Sequence, residues 1–164
     1  EEAEKISEEH KDQIHFLNKK GTEIVKEYLN SSKMLAYSTG TDWSPFTKGY
    51  FKTEKKFQIT MDCDSEIKKW LYNLGIPFDK YVFVESDNSG QAIMLTWKMV
   101  IKYWEGMFWD TDLTIFDGSL NWALFYYHES QLFFGNDNVF DQEAEFEKNL
   151  EQNKLLNDIK NRIK

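Results

Sequence analysis

One cysteine, one arginine and two prolines in 164 residues remove several kinds of protein from consideration at once. With Cys63 as the sole thiol, no intramolecular disulfide forms and no multi-cysteine zinc arrangement can be built. That poverty suits a reducing compartment, or a scaffold indifferent to redox. Arg162 is the only arginine, and the formal net charge is -8. Arginine grips phosphates and guanine edges through two parallel hydrogen bonds, so an acidic chain that relies on lysine is poorly equipped for nucleic acid. Long apolar runs are missing too. Segments such as Ala92 to Leu95 and Ala123 to Tyr127 fall far short of the roughly 20 residues that span a bilayer. The first residue is Glu1 rather than Met, from which we expect that something upstream has been removed, and a cytoplasmic location is expected for the rest.

Catalytic signatures are equally scarce. There is no Gly-x-Ser-x-Gly elbow and no Ser-x-x-Lys pair. His10 and His15 stand five apart, where a helical metal pair wants three or four, and His128 follows two tyrosines near a strand end. The loop from Asp87 to Gln91 lacks the lysine and repeated glycines of a phosphate cradle. Asp62 and Asp64 flank Cys63 and disfavour a reactive thiolate. No metal and no cofactor is therefore expected, and the chain is expected to bind rather than catalyse. A carboxylate-pair hydrolase drawing on Glu85, Asp87, Glu105, Asp110, Asp112 and Asp117 is the enzymatic alternative.

What the sequence does hold is a core: 41% hydrophobic and 16% aromatic residues, beside 29% charged. A domain of this length buries roughly 70% of its unfolded surface without staples, and no repeat or linker divides it, so one domain over residues 1–164 is expected. Residues 1–31 read as helix, with apolar positions from Ile6 to Leu29 at three- and four-residue spacing and Gly21 as a break or kink. Met34 to Ser38 reads as a short strand and Thr39 to Pro45 as a loop; strand signals resume from Tyr50 to Met61. Asp64 or Ser65 caps a helix that carries Ile67, Trp70, Leu71 and Leu74 and stops at Gly75. Tyr81 to Val84 and Ala92 to Leu95 read as strands, and a helix capped by Thr96 follows to about Phe108. Leu113 to Phe116, Trp122 to His128 and Gln131 to Phe134 form an antiparallel meander, and a charged helix runs from about Phe140 to the end. The expected class is α+β: an antiparallel or mixed sheet with helices on one face and with N- and C-terminal helices.

Between Asp62 and Glu147 the chain sets sixteen acids against five lysines. The same stretch carries twelve of its rings between Trp97 and Phe134. Aromatics at a surface rimmed by carboxylates have the composition of an interface to a basic protein. Glu85, Asp87, Trp109, Asp110 and Asp112 fall in expected loops flanking the strands and are the candidate contact residues.

The run Trp97-Lys98-Met99-Val100-Ile101-Lys102-Tyr103-Trp104, then Thr114-Ile115-Phe116-Asp117, Asn121 to Glu129, and Leu132-Phe133-Phe134-Gly135 resembles small immunity proteins encoded beside polymorphic toxins of bacteria. The similarity covers roughly residues 80–135 and is one of pattern: a helix followed by a Trp-containing hairpin that ends in Phe-Gly. It implies a cytoplasmic α+β domain that binds and neutralises a cognate toxin, often a nuclease, with no catalysis of its own. A non-enzymatic adaptor, or a tethered binding domain, is the other binding alternative.

Overall fold

The computed structural model describes residues 6–36, 43–86 and 90–162, with side chains to Lys154. A 3-10 helix, Glu8–Gln13, leads into β1 (Ile14–Phe16) and α1 (Lys19–Ser31). Then follow β2 (Phe51–Gln58), α2 (Asp64–Tyr72), β3 (Tyr81–Ser86), β4 (Ile93–Thr96), α3 (Trp97–Lys102) and α4 (Trp104–Met107). The chain continues through β5 (Leu113–Phe116), β6 (Trp122–Tyr127), β7 (Gln131–Asn138) and α5 (Gln142–Arg162). Among the described residues, seven strands join one sheet in the order β1-β4-β3-β5-β6-β7-β2, and every pairing is antiparallel. The α+β class and the β5-β6-β7 meander are as expected.

Side chains alternate across a strand, and here both faces are apolar. In β6, Trp122, Leu124 and Tyr126 enter one core while Ala123 and Phe125 enter the other. The first core also takes Ile67 and Leu71 of α2, Trp97, Met99 and Val100 of α3, and Trp104 of α4. The second takes Val25 and Leu29 of α1 together with Phe46, Tyr50 and Phe51. Helices on a single face therefore describes α2, α3 and α4, whereas α1 covers the opposite face. There the Tyr28 hydroxyl donates to the Gly118 carbonyl at 2.6 Å, and Thr22 Oγ1 accepts from the Ala92 amide at 3.0 Å. Burial on both faces explains where the rings go. Nine of the twelve between residues 97 and 134 are buried, because the central strands β5, β6 and β7 are covered on both faces and α3 and α4 pack onto one of them.

The N-terminal reading needs the largest correction. Residues 14–16 form β1, paired with β4 through Ile14↔Leu95, His15↔Met94 and Phe16↔Ile93, so the segment is no single helix. Asn18 opens α1 by accepting from the Gly21 amide at 2.9 Å, which puts Gly21 inside the first turn rather than at a break. The cap of α2 is Cys63 rather than Asp64 or Ser65, and Gly75 beyond its end takes the left-handed φ of 77°. The helix after Thr96 divides at Tyr103 into α3 and α4. Of the expected strand at Met34 to Ser38, Leu35 makes an isolated bridge to Phe46, while residues 37 and 38, with positions 39–42 of the expected loop, lie outside the described residues.

Candidate functional site

Strand register decides which loops meet. Ser86 pairs with Leu113, Leu113 with Tyr126, Tyr127 with Gln131, and Gln131 with Gln58. One end of the sheet therefore gathers the end of β3, the α4–β5 loop, the β6–β7 turn and the start of the β2–α2 connection. The Ile59 amide donates to the Ser130 carbonyl at 2.8 Å and closes the last of these onto the turn.

Trp109, Asp110 and Asp112 occupy the α4–β5 loop. Phe108 turns inward against the Tyr126 ring, with centroids 5.4 Å apart, and Trp109 turns outward to 77% exposure. The loop is nevertheless fixed, because the Tyr126 hydroxyl donates to the Trp109 carbonyl at 2.9 Å. Burial pushes that hydroxyl above its ordinary pKa, and the carboxylates of Asp110 and Asp112 push the same way against a lowering contact from Ser130. It keeps its proton and remains a donor through neutral pH. Asp110 is exposed and accepts from Thr111 Oγ1 at 2.9 Å. Asp112 is different: at 14% side-chain exposure, its Oδ1 accepts from the His128 amide at 2.8 Å and lies 2.7 Å from His128 Nδ1. Its carboxylate braces the β6–β7 turn.

Glu85 does not join this group. It lies inside β3 rather than in a loop, 8% exposed, and its Oε1 is 3.2 Å from Lys26 Nζ of α1. The strand runs on to Ser86 because β5 supplies partners for Glu85 and Ser86 at Thr114 and Leu113. Asp87 lies outside the described residues.

Two residues that the sequence reading passed over belong to the same end. Met61 is 95% exposed, and Asp62 beside it takes φ 66°. They are held there because Ile59 is tied to the turn and Asp64 Oδ1 accepts from Trp104 Nε1 at 2.9 Å. Hydrogen bonds from Lys68 and then from Trp104 hold the Asp64 carboxyl below its ordinary pKa. An apolar residue next to Asp-Cys-Asp is the signal that could have found Met61, but the β-pattern from Phe57 absorbed it.

At the opposite end of the sheet, a shallow groove of ≈ 370 Å³ runs between the α2–β3 connection and Trp122, Phe134 and Asn136. Its carboxylate, Asp117, is already saturated by Ser119, Trp122 and Lys80. Among the described residues, no group of three or more His, Cys, Asp or Glu is placed to hold a metal, and no helix is long and apolar enough to cross a membrane. Compared with protein-family models, with curated proteins and with solved structures, the chain matches none.

Proposed function

We propose that this chain is an immunity-type inhibitor, which binds a basic, nuclease-like toxin domain through the sheet end bearing Trp109 and does no chemistry itself. The observation that carries the reading is Trp109. Nine neighbouring rings are enclosed, yet this one stands in solvent on a backbone pinned by Tyr126. Leaving a large ring exposed forgoes roughly 1.5–3 kcal/mol of burial, and a fixed, exposed tryptophan is the kind of anchor that dominates interface energetics. Asp110 beside it and Glu129 in the β6–β7 turn are exposed carboxylates at the same end of the sheet, and Met61 adds a second exposed apolar side chain there. The net charge of -8 favours encounter with a basic partner, and the exposed Asp110 and Glu129 would orient it at this end. Asp112, Asp117 and Glu85 each already serve the fold, which favours binding over a carboxylate-pair reaction. The pattern resemblance over residues 80–135 supplies the partner class.

The test is capture from lysate of source cells, with wild type, W109A and D110K/E129K as baits at low and high salt, followed by kinetics with whatever partner is retained. Wild type is expected to hold a stoichiometric basic protein. W109A should keep its stability within about 0.5 kcal/mol and lose most of that binding. D110K/E129K should slow association about tenfold at low salt and flatten its salt dependence. Undiminished binding by W109A would remove this surface, and capture of nothing stoichiometric by wild type would remove the inhibitor reading.

A further inference from the structure

The C-terminal helix is built well at its root, and its side chains stand exposed from Phe146 to Lys154. Asp141 Oδ1 accepts from the amides of Glu143 and Ala144 at 3.0 and 3.1 Å, Phe140 stacks on Tyr50 at 5.3 Å, and Gln142 Nε2 donates to the Ser31 carbonyl at 2.8 Å. From Phe146 to Lys154 every residue is exposed, including Phe146 at 65% and Leu150 at 44%. Phe146 and Leu150 are four apart and so share a face. A helix of 21 residues is about 31 Å long, and its exposed stretch from Phe146 to Lys154 draws no stability from tertiary packing.

Charge is segregated along it. Residues 142–151 carry Glu143, Glu145, Glu147 and Glu151 against Lys148; residues 152–162 carry Lys154, Lys160 and Arg162 against Asp158. Compensation of the helix dipole explains only the first and last turns, yet Glu147, Glu151 and Lys154 lie beyond them. Glu143, Glu147 and Glu151 also follow one another at four-residue intervals, an arrangement of like charges that weakens an isolated helix. Opposed to a second copy running the other way, the acidic half meets the basic half at both ends. Opposed in parallel, like meets like.

We infer that α5 is a self-association element that pairs antiparallel with α5 of a second copy, seating Phe146 and Leu150 between the helices and the acidic half of each along the basic half of the other. The pairing is independent of the toxin-binding end of the sheet.

Sedimentation equilibrium of the full chain, from micromolar to near-millimolar concentration, tests it. Wild type should show a reversible monomer–dimer equilibrium that weakens with salt. E143K/E145K/E147K/E151K and K154E/K160E/R162E should each be monomeric with the core intact by tryptophan fluorescence. An equimolar mixture of the two should recover a 1:1 heterodimer, which separates lost pairing from a frayed helix. A wild type that stays monomeric throughout, a dimer indifferent to either reversal, or a mixture that fails to associate would each overturn the inference.

Discussion

Asp117 follows β5 with its two oxygens fully engaged. Oδ1 accepts from the Ser119 amide at 2.8 Å and from the Ser119 hydroxyl, and Oδ2 accepts from Trp122 Nε1 at 3.1 Å with Lys80 Nζ 3.3 Å away. Burial alone would raise its pKa, but the donors from Ser119, Lys80 and Trp122 outweigh that, and the carboxyl titrates below the ordinary 3.8. A folded pKa lower than the unfolded one gives stability that is fully present above the unfolded value and is lost as the pH falls through the folded value. Asp117→Asn should therefore cost roughly 1–3 kcal/mol at neutral pH. The gap to wild type should narrow once the pH drops below 3.8. Urea midpoints at neutral pH and near pH 3 measure this, and a gap unchanged by acid would mean that the charge on Asp117 adds nothing to its hydrogen bonds. Nothing in the sequence separates Asp117 from Asp110, since both are acids beside aromatics; only the register of β5 against β6 brings Trp122 to one and solvent to the other.

Elements were legible where local chemistry is self-sufficient. The meander from Leu113 to Asn138 carries β-branched and aromatic residues between short turns, and Ser130, in the β6–β7 turn, takes φ 61°. The N-terminus misled because Ile14 and Leu17 fit a helical period as well as a strand end, and the pairing that decides between them is with Ile93 to Leu95, far along the chain. Glu85 was placed in a loop for a similar reason: its partner, Thr114, is remote, and its charge is answered by Lys26 on another element. Gly135 marks a close approach between two strands. The β2–β7 pairing skips Lys52 and Asp137, Asp137 takes φ 60°, and the Phe51 ring lies over Gly135, so that a Cβ there would sit 2.0 Å from Phe51 Cδ2. Gly135→Ala should destabilise by about 2 kcal/mol or more, since overpacking on that scale shifts backbone. Phe51→Ala alone should cost roughly 3–5 kcal/mol. Adding Gly135→Ala to it should cost little further, because the clashing ring is gone. A double-mutant cycle in urea reads the coupling, and additive costs would show that the ring is not what excludes a side chain at 135.

At the scale of the whole molecule, one sheet serves two cores. Strands β3, β5, β6 and β7 each send alternate residues to α2–α4 and to α1, so neither helical layer can leave without exposing an apolar face of the sheet. The surface cost is symmetrical. Leu29 of α1 and Leu71 of α2 are both buried, and truncating either to alanine removes about 2–5 kcal/mol. If the layers were separable, Leu29→Ala would release α1 first and leave the other core standing. Sharing of the sheet predicts instead that each variant lowers a single transition. In a Trp43→Phe background, which removes the tryptophan packed against the α1 core, fluorescence reports the α2–α4 core through Trp97, Trp104 and Trp122, whereas far-ultraviolet circular dichroism reports every helix and strand. For Leu29→Ala the two signals should fall together at a lower urea concentration, because strands stripped of α1 lose the packing that holds Phe116, Ala123, Phe125 and Phe133. Dichroism that fell before fluorescence in that variant would instead make α1 and its core a separately melting layer.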